Sequence, residues 1–194
     1  MEWDDARIIS SRNEERKKRY TDLNTGMYIK EQLLMFKKCD IEDLKFTITL
    51  PQGFLAMNQE MVSRKYPSLD RPDIVIGNDA GDTVFAFSAL KDHISTEELR
   101  KNTATTLRTL IKAANPSISF MDSGNVNNDF MSCCWFDFKS YIITGVLYNL
   151  TNIVSFKNRT ILGMFSCPYE LQQGWKTVYL KILETYEEQA GGGK

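Results

Sequence analysis

Histidine is almost missing from this 194-residue chain, with His93 the single example. Only that side chain titrates near neutrality without a shifted pKa, which thins out the acid-base, triad and zinc chemistries open to the protein. Cysteine is scarce too. Cys39, Cys133, Cys134 and Cys167 form no Cys-x-x-Cys pair and no disulfide-framework spacing, so no metal is expected and reduced intracellular thiols are. Neither sign of charge is in excess: 24 Lys plus Arg stand against 25 Asp plus Glu. A net charge of −1 argues against nucleic acid as a partner, which needs a basic surface. Charge is balanced locally as well, since residues 1–45 hold ten acids and ten bases, and no basic arm is hidden there. Long apolar runs are absent. No stretch approaches the roughly 18 residues of a membrane span, and the N-terminus carries acids at once with no apolar signal core, so a cytoplasmic protein is expected. Gly-x-x-x-x-Gly-Lys, Gly-x-Gly-x-x-Gly and Gly-x-Ser-x-Gly are missing, which removes the common phosphate cradles and hydrolase elbows; no cofactor is expected.

What the sequence does have is enough apolar material for a core, at 42% hydrophobic and 11% aromatic residues. Residues 1–43 are dense in charge and read as a partly helical N-terminal appendage, with Arg12 to Arg19 a solvated face and Ile29, Leu33 and Phe36 at helical spacing. A strand through 28–36 competes with that helix. From Leu44 to about 188 the pattern is that of an α+β domain, followed by a flexible tail at 189–194. Phe46 to Leu50 alternates and stops at Pro51, a short helix follows over about 56–65, and strands at 74–76 and 83–87 flank the turn-rich Gly77 to Asp82. Ser95-Thr-Glu-Glu98 is a capping box that opens a helix with Leu99, Thr103, Leu107, Leu110, Ile111 and Ala114 on one face, ended by Asn115-Pro116. Strands over about 117–122, 130–139, 141–150 and 160–167 come next. The second of these is apolar on both faces and should lie centrally. Leu171, Trp175, Val178, Tyr179, Ile182, Leu183 and Tyr186 then mark a second amphipathic helix. Short links demand antiparallel pairing, so one mainly antiparallel sheet with two long helices is the economical fold.

Phe46 to Phe54, the mid-domain helix at 95–114, the meander after it, and Gly163-Met-Phe-Ser-Cys-Pro168 with Trp175 beyond resemble the superfamily that groups PsbP, DcrB and Mog-like proteins. The resemblance spans about residues 44–186. It implies an α/β/α sandwich whose members mostly bind other proteins, one bacterial branch serving as adaptors for secreted effectors. It carries no catalytic signature.

Chemistry-bearing groups are few. His93 sits in Lys91 to Ser95 with no neighbouring nucleophile, and Cys133 and Cys134 should point to opposite sheet faces, a poor redox or ligand pair. Asn78 to Asp82 lacks the alternating ligands and final glutamate of a calcium loop and reads as turn chemistry. No catalytic residue is assigned. What remains is a surplus of large apolar groups in strands: Phe85, Phe87, Trp135, Tyr148, Met164 and Phe165 exceed what two helices on one sheet face would cover. Phe85, Trp135, Tyr148 and Met164 are therefore the candidate partner-binding residues. The expected function is a non-catalytic module that binds a protein partner. The alternatives are a carrier of a small or lipid-like ligand in an apolar pocket and, third, an enzyme in which His93 and a cysteine converge.

Overall fold

The computed structural model describes residues 18–67 and 71–189. Most of the Arg12 to Arg19 run and the tail beyond residue 189 lie outside the described residues.

The chain opens with a meander of β1 (Thr21–Asp22), β2 (Gly26–Ile29) and β3 (Gln32–Leu34). Asp22 Oδ1 accepts from the amides of Asn24 and Thr25, each at 2.8 Å, and Gly26 follows at φ 100°, a value that favours glycine. The helix expected from Ile29, Leu33 and Phe36 is thus a hairpin, nearer to the competing strand through 28–36 but broken by a turn. Lys30 at φ 51° turns the chain, so Met27 pairs with Leu34 and Ile29 with Gln32. β4 (Phe36–Ile41) and a 3-10 turn (Glu42–Leu44) lead into β5 (Phe46–Pro51), and β5 lies between β4 and the late strand β13 (Glu187–Glu188).

The main sheet has seven strands in the order β6-β7-β8-β12-β11-β10-β9, every neighbour antiparallel. They are β6 (Leu55–Ala56), β7 (Ile74–Gly77), β8 (Val84–Ala89), β9 (Ser119–Asn127), β10 (Ser132–Ile142), β11 (Gly145–Ser155) and β12 (Thr160–Pro168). Three α-helices accompany it among the described residues: α1 (Gln59–Lys65), α2 (Glu97–Ala114) and α3 (Gln172–Leu183). Only α2 is long, and three sheets replace the single one expected. β12 is the central strand; β10 lies one place from the edge, and is apolar on both faces because each face is covered.

On one face, Phe85, Phe87, Leu150 and Phe165 pack against Trp175, Tyr179 and Ile182 of α3, together with Phe46, Ile48 and Leu50 of β5. Met27, Ile29, Leu34, Phe36 and Ile41 belong to this same core. The boundary expected at residue 44 therefore does not separate two packing units. On the opposite face, α1 covers Val75, Val84 and Ala86, while α2 covers Cys134, Phe136, Phe138 and Ile153. The cap of α2 is Thr96 rather than Ser95: its hydroxyl accepts from Leu99 N at 3.2 Å. Leu99 and Leu110 face outward, and the packing stripe falls to Ala104, Leu107 and Ile111.

Candidate binding groove

Side chains on a strand alternate between faces, so the face shared by α1 and α2 receives Leu147, Asn149, Thr151 and Ile153 from β11 and Leu162, Met164 and Ser166 from β12. The two helices do not meet over it. Between Tyr66 at the end of α1 and Ile111 in the last turn of α2, the sheet is left open as a groove of about 420 Å³, with Met164, Thr151 and Leu147 in its floor. Towards the β10–β11 hairpin a second cleft of about 670 Å³ continues it, sharing Lys65, Ile142 and Leu147. The hairpin tip carries Ile142 at 45% exposure and Ile143 at 106%. Two branched apolar side chains held in water at a turn are a surface that costs solubility unless something covers them.

Polar groups in the groove are few and mostly engaged. Lys65 Nζ donates to Gly81 O at 2.8 Å, and desolvation pushes its ammonium below the ordinary lysine range against the opposing pull of Asp82. Burial raises the Tyr66 phenol. Asn149 Nδ2 donates to Ser140 Oγ at 2.8 Å. The lining contains no histidine, cysteine or carboxylate. The groove offers shape, apolar contact and one cation, and no nucleophile with a base beside it.

Of the predicted residues, Met164 lies in the groove floor. Phe85 and Tyr148 do not reach any surface, both being fully buried on the α3 side. Phe85 stacks on Tyr179 at 5.6 Å between ring centroids, and the Tyr148 hydroxyl donates to Asp137 Oδ2 at 2.9 Å. Assigning these two to partner contact is corrected by that burial. The strand aromatics are taken up in one core with α3, with β5 and with Met27 to Ile41 of the segment that the sequence pattern reads as an appendage. Trp135 is half-buried on the α3 side, near the sheet edge, with the Lys176 ammonium over its ring at 5.4 Å. Ile142, Ile143 and Lys65 were not anticipated. The readable signal was the pair of isoleucines immediately before Thr144-Gly145, too apolar for a hairpin turn.

A buried polar cluster joins α3 to the sheet on the other side. Lys176 Nζ contacts Asp137 Oδ2 at 2.8 Å and also pairs with Asp122, whose backbone N–H donates to Asp137 Oδ1 at 2.6 Å. Beneath α3, Tyr179 donates to Asn152 Oδ1 at 2.7 Å, and Gly163 makes room for that amide: a Cβ there would stand 2.5 Å from Asn152 Oδ1.

His93 is exposed, and its Nδ1 lies 3.4 Å from Thr160 Oγ1. No cluster of three or more His, Cys, Asp or Glu placed to hold a metal occurs among the described residues. All four cysteines are free, and burial raises each thiol, those of Cys133, Cys134 and Cys167 inside the core and that of Cys39 in a half-buried position. A thiolate-selective reagent at pH 7.5 is accordingly expected to label Cys39 slowly and the other three only after denaturation. Rapid labelling of more than one site in the native protein would contradict this packing.

No family model matches the sequence, and comparison with curated proteins finds no match either. Solved structures do match. A cyanobacterial PsbP from Synechocystis aligns with TM-score 0.60 at 10% identity, over 79% of this chain and 92% of that one. The Ran-binding protein Mog1p of Saccharomyces cerevisiae aligns with TM-score 0.50 at 9% identity, over 80% and 96%. LpqN of Mycobacterium tuberculosis, described as involved in cell envelope biogenesis, aligns with TM-score 0.50 at 12% identity, over 84% and 95%. Identities this low speak to architecture alone. The chain has the PsbP/Mog1-like fold, an α+β arrangement of mostly antiparallel strands with three helices.

Proposed function

We propose that the protein is a non-catalytic binding module that seats an apolar segment of a protein partner in the groove between α1 and α2. The observation that carries this is the open apolar floor around Met164 running out to the exposed Ile142 and Ile143. A similar fold in a protein described as Ran-binding adds support. The four unpaired cysteines favour a reducing compartment, and we place the activity in the cytoplasm on that ground. No helix among the described residues is long and apolar enough to cross a membrane.

The test is co-purification from the native host with wild-type protein, Met164→Arg and Ile143→Asp. A charge in the floor or at the tip must be desolvated against the partner, so each variant should weaken capture at least about tenfold, or roughly 1.4 kcal/mol, with the melting temperature unchanged. Capture that survives both changes at full strength would rule the groove out as the site. The groove volume of about 420 Å³ also lies in the range of small-ligand pockets, which favours a carrier as the second reading. A small molecule retained in native mass spectrometry and displaced by Met164→Arg would select it.

A further inference from the structure

The main sheet ends on one side in β6, with only two residues, and on the other in β9, with nine. Among the described residues β9 is paired with β10 on one side only, which leaves the backbone N–H and C=O groups of its other side without a strand partner there. Natural edges of this length are usually guarded by proline, lysine or a bulge. Here a register shift disturbs the strand around Met121 and Asp122, but from Ser123 to Asn127 the ladder with β10 is regular and the side chains are small or neutral. This stretch is unguarded.

One flank of this edge is charged. Along α2, Lys101, Arg108 and Lys112 are seven and four residues apart and share a face. Arg100 O accepts from Cys134 Sγ, Arg108 lies over the rings of Phe120 and Phe136 at 4.6 and 5.7 Å, and Lys112 Nζ donates to Ile118 O. These contacts run α2 alongside β9 in the opposite sense, so the cations are strung along the edge. Lys101 is shared with Glu97 at 2.6 Å; among the described residues neither Arg108 nor Lys112 is ion-paired. A cleft of about 440 Å³ lies between Lys101 and Arg108 on α2 and Ser123 to Asn125 on the strand, with Ala104, Thr105 and Phe136 in its walls. On the other flank Lys176 and Asp122 pair with each other, so that side has little charge to offer.

We propose that β9 is a second docking site, which takes an extended acidic segment of a partner protein by strand addition along Ser123 to Asn127. Backbone hydrogen bonds supply the pairing, and carboxylates on the α2 side of the segment lie against Lys101 and Arg108. The site lies on a different edge of the molecule from the groove and does not depend on it.

Three labelled peptides of about ten residues test it by fluorescence anisotropy against the full chain: Thr and Val alternating with Asp and Glu, the same peptide with Lys for each acid, and the acidic peptide N-methylated at alternate residues. The acidic peptide is expected to bind, to weaken steeply with salt, and to shift amide resonances of Ser123 to Asn127. The lysine and N-methylated peptides should bind at least about tenfold more weakly, as should the acidic peptide to Arg108→Glu, whereas Met164→Arg should leave it unaffected. No binding up to about 1 mM, equal binding of the N-methylated or lysine peptide, or resonance shifts confined to the groove would overturn the proposal. So would sedimentation showing that a second copy occupies β9 and is not displaced by the acidic peptide.

Discussion

Lys176→Met is expected to destabilise the fold by about 3 kcal/mol, read as a shift in the urea midpoint at unchanged slope. Asp137 is fully buried, and Lys176 is the cation in contact with it. Methionine preserves the aliphatic packing on Trp135 but leaves a carboxylate inside the protein with only the Tyr148 hydroxyl and the Asp122 amide as donors. Hydrogen bonds alone do not offset the loss of hydration of a full charge. Burial by itself would push the Lys176 ammonium down, and the hydrogen bonds to Asp122 and Asp137 outweigh it and hold the group above its ordinary range. That sign fixes a second readout: the stabilisation is complete below about pH 10.5 and is lost as pH rises through the raised value, so the variant should lose less than wild type in strong alkali. Asp137→Asn added to Lys176→Met should recover part of the loss, because it removes the orphaned charge. A change below about 1 kcal/mol in the single variant would mean that the pair is solvated in solution and holds α3 no more firmly than a surface ion pair does.

Alkaline pH should unfold the protein steeply. Burial is the leading cause that raises the phenols of Tyr148, Tyr179 and Tyr186 above the ordinary value of 10.0. Above pH 10 the unfolded chain gives up three protons that the native state keeps, so stability falls with rising pH by about 1.4 kcal/mol per unit for each group, or about 4 for the three. The buried thiols of Cys133 and Cys167, raised by burial from 9.0, begin the decline about one unit earlier. A domain with roughly 5–15 kcal/mol of stability cannot withstand that slope far, and unfolding is expected between about pH 11 and 12. Phenolate absorbance at 295 nm and far-ultraviolet circular dichroism should register the event together for these tyrosines. Tyr186→Phe should flatten the slope above pH 10 by about a fifth, one of the five groups that contribute to it. Ionisation of all eight tyrosines with secondary structure intact would show that the α3 core is open to solvent.

Local periodicity made much of this legible. The strands from Phe46, Ile74, Val84, Cys133, Leu147 and Ile161, and the helix bearing Trp175, Tyr179 and Ile182, follow from alternation and from 3.6-residue spacing alone. The first forty residues misled because Ile29, Leu33 and Phe36 satisfy a helical spacing by chance, while the turn at Lys30 that makes them a hairpin depends on a positive φ no propensity favours in lysine. Phe85 and Tyr148 are buried for a different reason: Phe85 lies against Trp175 and Tyr179 of α3, and Tyr148 against Phe165 and Asp137, contacts that alternation along a strand does not reveal. Met164 stands out in the sequence only as one of six large apolar strand residues; its place on the face opposite to Gly163 and Phe165 on β12 comes from the register. The groove itself could not be placed, because it exists only where two helices distant in sequence stop short of each other.

The last strand has a temporal meaning as well as a spatial one. β13 completes the small sheet beside β5, Glu187 pairs with Lys38 across 149 residues of sequence, and Arg159 reaches Glu188 and Leu44 O together. Phe46 stacks on Tyr186, at the entrance to that strand, with ring centroids 5.3 Å apart. During synthesis the early hairpins therefore wait, their apolar sides uncovered, until the chain has left the ribosome as far as Glu188. Loops closed this late make for slow folding and a nascent chain exposed to aggregation.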